Sequence, residues 1–180
     1  MSDPCPHRNI ALIGFMGAGK TTVGSLLSQL LHFEFLDTDK FIEQRQGRKI
    51  ADIFAQDGEP FFRRLESELC TELASASGRV IATGGGLAVN PDNVASLRQH
   101  SLIVCLWASP ETIYARVRHQ THRPLLQGPD PLGRIRDLLA VRTPAYRNAD
   151  MIVGVDFRSP AETARHVAAA FRLTTPAAGS

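Results

Sequence analysis

The stretch NIALIGFMGAGKT, Asn9 to Thr21, runs from an apolar segment straight into a glycine-rich turn, and Thr22 and Val23 then open a segment of helical periodicity. Its second part, Gly14 to Thr21, fits the pattern GxxxxGK[ST] in the order of strand, loop and helix that gives the pattern meaning. Glycines in such a loop let backbone amides turn inward around a phosphate, and the helix start adds its dipole. The lysine reaches the terminal phosphates and the hydroxyl can ligate Mg²⁺. The other reading is a glycine turn that happens to precede a lysine; the flanking strand and helix argue against it. Gly17, Ala18, Gly19, Lys20, Thr21 and Thr22 are therefore candidate nucleotide-binding residues, with Thr21 also a candidate metal ligand.

Outward from that loop, strands alternate with helices. Val23, Leu26, Leu27, Leu30 and Leu31 recur on one helical face. A short strand, Phe33 to Asp37, follows, then helical patterns over Phe41 to Gln46, Ile50 to Gln56 and Glu59 to Ser75. Arg79 to Thr83 reads as a buried strand that enters Gly84-Gly85-Gly86, and Ser101 to Trp107 as another. Asn90-Pro91 and Ser109-Pro110 each have the residues of a helix start, and the last strand, Met151 to Val155, leads to the capping-box spacing Ser159 to Glu162. This alternation predicts an α/β fold in three layers, α/β/α, with a central, mostly parallel sheet whose ligands sit at the carboxyl ends of the strands.

The 180 residues, 43% hydrophobic, suffice for one core and not for two large ones, so a single domain is expected over 1–180. Its core should run from about 9 to 173, with a Pro- and Gly-rich lid at about 118–131 and a tail at 174–180. A net charge of +2 gives no argument for nucleic acid or an anionic membrane. Cys5, Cys70 and Cys105 are far apart without metal or disulfide spacing, which suits reduced, buried thiols. The start MSDPCPHR lacks the apolar core of a signal peptide, so a cytoplasmic protein is expected. His119 and His122 have i, i+3 spacing but no third ligand in view, and no metal site is read there.

A phosphate cradle needs a carboxylate for the metal and an acceptor for the phosphate. Only the strand Phe33 to Asp37 ends in aspartate, with Asp39 two residues on. Asp37 is placed to hold the metal's water shell and Asp39 to face whatever lies beyond the γ-phosphate, although either could instead cap the next helix. On Glu59 to Ser75 the stripe is Phe62, Leu65, Leu69 and Leu73, and Glu66 falls inside its margin with Arg63 one turn back as its cation; the pair could be functional or purely structural. Further on, Leu132, Ile135 and Leu139 set a stripe continued by Arg142 and Tyr146. An inward arginine implies an anion, and because the residue before Pro144 is disfavoured in a helix, Arg142 is expected near a helix end or kink. Arg123 lies in the expected lid, where it could close over transferring phosphate or simply be solvated. The bare amides of Gly84 to Gly86 suit close approach of a ligand, or a bend.

The ordered set GFMGAGKTTVG, FLDTD, IADIF with GEPFFRRLE, TGGG, RPLL and RxxxY at Arg142 to Tyr146 resembles the shikimate kinases, a nucleoside-monophosphate-kinase-like P-loop family, from about Asn9 to Phe171. The resemblance implies transfer of the γ-phosphate of ATP, with Mg²⁺, to the 3-hydroxyl of shikimate on the route to chorismate and aromatic amino acids. It implies Lys20, Asp39 and Arg123 as catalytic residues, and Thr21 with Asp37 at the metal. Asp39, Phe54, Phe62, Arg63, Gly85, Gly86 and Arg142 would bind shikimate, and Glu66 would position Arg63. Arg116 would stack near adenine and Arg123 would close with the lid. A related small-metabolite kinase, such as a gluconate kinase, and a non-catalytic nucleotide-binding relative are the other readings; an NKxD motif of a GTPase switch is absent. A monomer working on small molecules, with neither nucleic acid nor membrane as partner, is expected.

Overall fold

A computed structural model describes residues 7–119 and 128–174. Arg123, residues 120–127 of the expected lid, Cys5 and the tail from 175 lie outside the described residues.

Among the described residues five strands form one sheet: β1 (Asn9–Ile13), β2 (Glu34–Asp37), β3 (Arg79–Ala82), β4 (Ser101–Trp107) and β5 (Met151–Gly154), in the order β2-β3-β1-β4-β5. Every neighbouring pair is parallel, so all five strands point their carboxyl ends to the same rim. β1, central and wholly buried, pairs Ile10 with Val80 on one side and Leu102 on the other. Strands buried on both faces read as continuous apolar runs rather than alternating ones, and that is how NIALI and SLIVCLW read.

Eight α-helices cover the sheet among the described residues: α1 (Lys20–Leu31), α2 (Thr38–Gln46), α3 (Ile50–Asp57), α4 (Glu59–Glu72), α5 (Pro91–Arg98), α6 (Pro110–Val117), α7 (Pro131–Arg147) and α8 (Pro160–Thr174). The expected caps form. Asn90 accepts from the Asp92 amide, Ser109 from the Thr112 amide, and Ser159 and Glu162 close a reciprocal capping box. α1 packs along α8, and its buried face is Lys20, Val23, Gly24, Leu27 and Ser28; Leu30, expected in the apolar stripe, is 41% exposed. Gly24 permits a close approach there, since a Cβ on it would lie 2.6 Å from the Phe35 ring of β2.

Two further expectations change. α7 does not end or break before Pro144 but continues to Arg147. Pro144 can donate nothing, yet the last turn is anchored from outside by Tyr146, which is buried and donates to the Gly85 carbonyl at 2.7 Å. In α4 the buried face is Phe62, Glu66, Leu69 and Cys70, so Glu66 lies at its centre rather than its margin, while Leu65 is only half-buried.

At the opposite rim, the amino ends of the strands are tied by a buried polar cluster. The Asn9 side chain donates to the Ala76 carbonyl at 2.8 Å, accepts from the Arg79 amide at 3.0 Å and meets His100 Nδ1 at 3.0 Å. Burial holds His100 below the ordinary imidazole pKa, so it is neutral.

Candidate active site

The carboxyl rim of the sheet holds a cleft of about 370 Å³, lined among others by Met16, Gly17, Lys20, Thr21, Asp37, Asp39, Gly84, Gly85 and Arg116. A second hollow of about 300 Å³ opens on the other side of Arg116, between Ala18, Thr22, Val155, Arg158, Pro160 and Thr163. A larger surface groove beside α2, lined by Lys40, Glu43, Arg48, Lys49 and Asp52, contains no part of the glycine loop or of the glycine triplet.

The loop from Gly14 to Gly19 leaves β1 and wraps the end of Lys20, the first residue of α1. Lys20 is 8% exposed, and its ammonium donates to the carbonyls of Gly14 and Phe15 at 2.7 and 2.8 Å. The positive charge is thus held inside the loop rather than in solvent. Beside it, Thr21 donates its hydroxyl to Asp37 Oδ2 at 2.9 Å, while Asp37 Oδ1 accepts from the Lys40 amide and caps α2. One Asp37 oxygen therefore caps α2, as the sequence allowed, and the other faces the glycine loop beside Thr21. These oxygens suit a hard cation that takes one or two protein ligands and fills its remaining positions with phosphate and water.

Gly84, Gly85 and Gly86 meet three of the expected groups in turn. A Cβ on Gly84 would overlap Asp39 Oδ1, one on Gly85 would lie 3.8 Å from Arg142 Nη1, and one on Gly86 would lie 2.7 Å from both Nη1 and Nη2 of Arg63. Asp39, Arg142 and Arg63 come from α2, α7 and α4, so the triplet is the platform on which distant segments converge. Arg142 Nη1 donates to the Gly85 carbonyl at 3.2 Å, and its guanidinium lies 5.5 Å from the centre of the Phe15 ring. Arg63 lies 5.5 Å from the centre of Phe62, which packs on Phe54 at 5.1 Å. Phe54 and Phe62 therefore pack as a pair beside Arg63.

Arg63 Nη1 donates to Glu66 Oε2 at 2.6 Å. Glu66 is fully buried, and neither its Oε1 nor Asp39 Oδ1 has a hydrogen-bond partner among the described residues. Burial pushes both acids above the ordinary carboxylate range. For Asp39 the Asp37 charge adds to this, while Lys20 and Arg63 oppose it; for Glu66 the hydrogen bond and charge of Arg63 oppose it. Buried acceptors with no protein partner call for a donor from a ligand or from water. Cys70 and Cys105 are raised to about 12 by burial, which makes them inert core residues.

Arg116 donates to the carbonyls of Gly17 and Ala18, both at 3.2 Å, and to Val155 at 3.0 Å, so it braces the loop against the end of β5 and separates the two hollows. Sequence reasoning missed several parts of the site. Thr38, fully buried, accepts from the Gly84 amide at 2.9 Å and holds the triplet to α2; it is the middle residue of the DTD run. Glu59 lies four residues before Arg63 and accepts from it, an i, i+4 pairing legible once α4 is recognised. Arg158 and Thr163 line the second hollow, and only their nearness to the Ser159 cap could have suggested it.

The shikimate kinase family model matches residues 16–172. A shikimate kinase from Caldanaerobacter subterraneus subsp. tengcongensis is 44% identical over 164 residues, 91% of this chain and 96% of that protein. The solved structure of shikimate kinase from Acinetobacter baumannii in complex with shikimate is 40% identical, with a TM-score of 0.84 over 89% of this chain and 90% of that one. A gluconokinase structure from Sinorhizobium meliloti, at 19% identity and TM-score 0.58, shares the fold alone.

Proposed function

The chain belongs to the shikimate kinase family, and from that membership we propose that it transfers the γ-phosphate of ATP to the 3-hydroxyl of shikimate. The observation that carries the reading is the glycine platform, which brings Asp39, Arg142 and Arg63 together beside the lysine-bearing loop. Two arginines can hold a carboxylate by forked, charge-assisted bonds while one carboxylate holds neighbouring hydroxyls, and together they fix the orientation of a polyol acid.

In this reading Lys20 and the amides of Gly17 to Thr22 receive the phosphates, and the ammonium, already inside the loop, meets the charge that develops on transfer. Thr21 and Asp37 would hold Mg²⁺, which when bound neutralises phosphate charge. Asp39 orients the attacking hydroxyl and accepts its proton; an acid raised toward working pH is a better acceptor than an ordinary aspartate. Arg63 and Arg142 grip the shikimate carboxylate against Gly85 and Gly86, Phe54 and Phe62 pack the ring, and Glu66 positions Arg63. The second hollow, between Arg116, Arg158, Pro160 and Thr163, is assigned to the adenine, and Arg123 to lid closure over the transferring group. The reading takes the chain as a single-domain, monomeric enzyme acting on small molecules. Among the described residues no helix is long and apolar enough to cross a membrane.

A coupled assay with ATP, Mg²⁺ and shikimate tests the reading. Turnover with shikimate and little with gluconate is the expected result; gluconate phosphorylation without shikimate phosphorylation refutes it. Nucleotide binding with no turnover on either acid would favour a non-catalytic relative.

A further inference from the structure

Building on the reading that Arg63 receives the substrate carboxylate, we propose that Glu59 is a built-in competitor for that carboxylate, an acid of the protein that occupies the guanidinium edge the substrate needs and withdraws when it binds. Arg63 is held on two sides. Its Nη1 donates to Glu66 at 2.6 Å, and its Nε and Nη2 both donate to Glu59 Oε1, at 3.1 and 2.8 Å. A forked grip on a carboxylate uses two adjacent N–H groups of the guanidinium. One N–H of Nη1 holds a buried acid and both Nη atoms lie close against Gly86, so Nε and Nη2 form the open edge for the grip, and Glu59 already covers it.

The two glutamates are not equivalent. The Glu66 side chain is 1% exposed and the Glu59 side chain 61%. Releasing Glu66 would strand a buried charge, whereas Glu59 can swing into water with little loss, because exposed ion pairs hold weakly. Glu59 is also the first residue of α4, where the helix amides offer its carboxylate a second place to rest. A substrate carboxylate that takes the Nε–Nη2 edge has to displace Glu59 from it. Arg63 is thereby kept aligned without substrate, and the exchange of acids sets how tightly shikimate is held.

Competition and bracing predict opposite signs. If Glu59 competes, Glu59→Gln lowers both the KM and the Kd for shikimate by about two- to fivefold, the range of an exposed ion pair, with kcat and the KM for ATP held. If Glu59 instead braces Arg63, the same change raises them. Steady-state kinetics give the split between KM and kcat, and calorimetry with shikimate and its methyl ester, on parent and variant, isolates the carboxylate. The expected result is tighter binding of the acid with the ester unaffected. An unchanged or raised KM overturns the inference. Should the parent bind ester as tightly as acid, the assignment of Arg63 to the carboxylate falls and takes this inference with it; acid preferred over ester, with no gain in the variant, sinks the inference alone. Glu59→Asp keeps charge at the helix start but shortens its reach, and is expected to tighten binding in the same sense if the glutamine variant folds poorly.

Discussion

Asp39 carries two opposed demands. In the role proposed for it, its carboxylate must be charged to take a proton, yet burial and the neighbouring Asp37 favour the neutral acid. Because its folded pKa is raised above the unfolded value, the stability this group contributes is present in acid and lost as pH rises through the folded pKa. Ionised Asp39 is therefore a cost to the fold at neutral pH. Asp39→Asn is expected to lower kcat by about 10²- to 10⁴-fold, the range for loss of a general base, while raising the thermal midpoint. The acid limb of kcat/KM for the parent should lie above the ordinary aspartate range, since the protonated acid cannot accept the hydroxyl's proton. A variant with parental kcat would leave Asp39 without a chemical role, and an acid limb at the ordinary aspartate value would remove the effect of burial.

At the level of the elements, the two rims of the sheet divide function from stability. Tyr146 holds the Gly85 carbonyl from the last turn of α7, so Tyr146→Phe is expected to raise the KM for shikimate about fivefold, as loss of one hydrogen bond worth about 1 kcal/mol would. KM titrations of the two proteins check this, and unchanged values would mean that Arg142 and Thr38 hold the triplet without it. At the other rim, Asn9→Ala removes three buried contacts and should cost about 2–3 kcal/mol in urea unfolding while leaving kcat as it was; a fall in kcat without a fall in stability would contradict the division. Much of this was legible in the sequence. The strands, the caps and the glycine loop follow from local pattern, because each is built from neighbours in the chain. The course of α7 past Pro144 was not, since the anchor that carries it, the Gly85 carbonyl, lies 61 residues away. For Glu66 the partner Arg63, three residues away, was legible, whereas its place at the centre of its face depends on what packs against α4.

For the molecule as a whole, the apolar sheet and its two helical layers hold the fold without calling on the oxygen pair of Thr21 and Asp37. Chelation of magnesium by EDTA is therefore expected to stop phosphate transfer and leave the thermal midpoint of the nucleotide-free chain where it was. A lower midpoint in EDTA would reveal a structural ion. The convergence of α2, α4 and α7 on one glycine triplet could be expected from motif order but not deduced from it, because spacing along a chain does not fix which rim a distant helix reaches. The contact of Gly24 with Phe35 adds a final consequence. It lies one turn along the helix that begins at Lys20, so a methyl group there would act as a shim beneath a lever, tilting the ammonium without touching any ligand. Inactivity caused by so remote a change would report misalignment of an otherwise intact set of reacting groups.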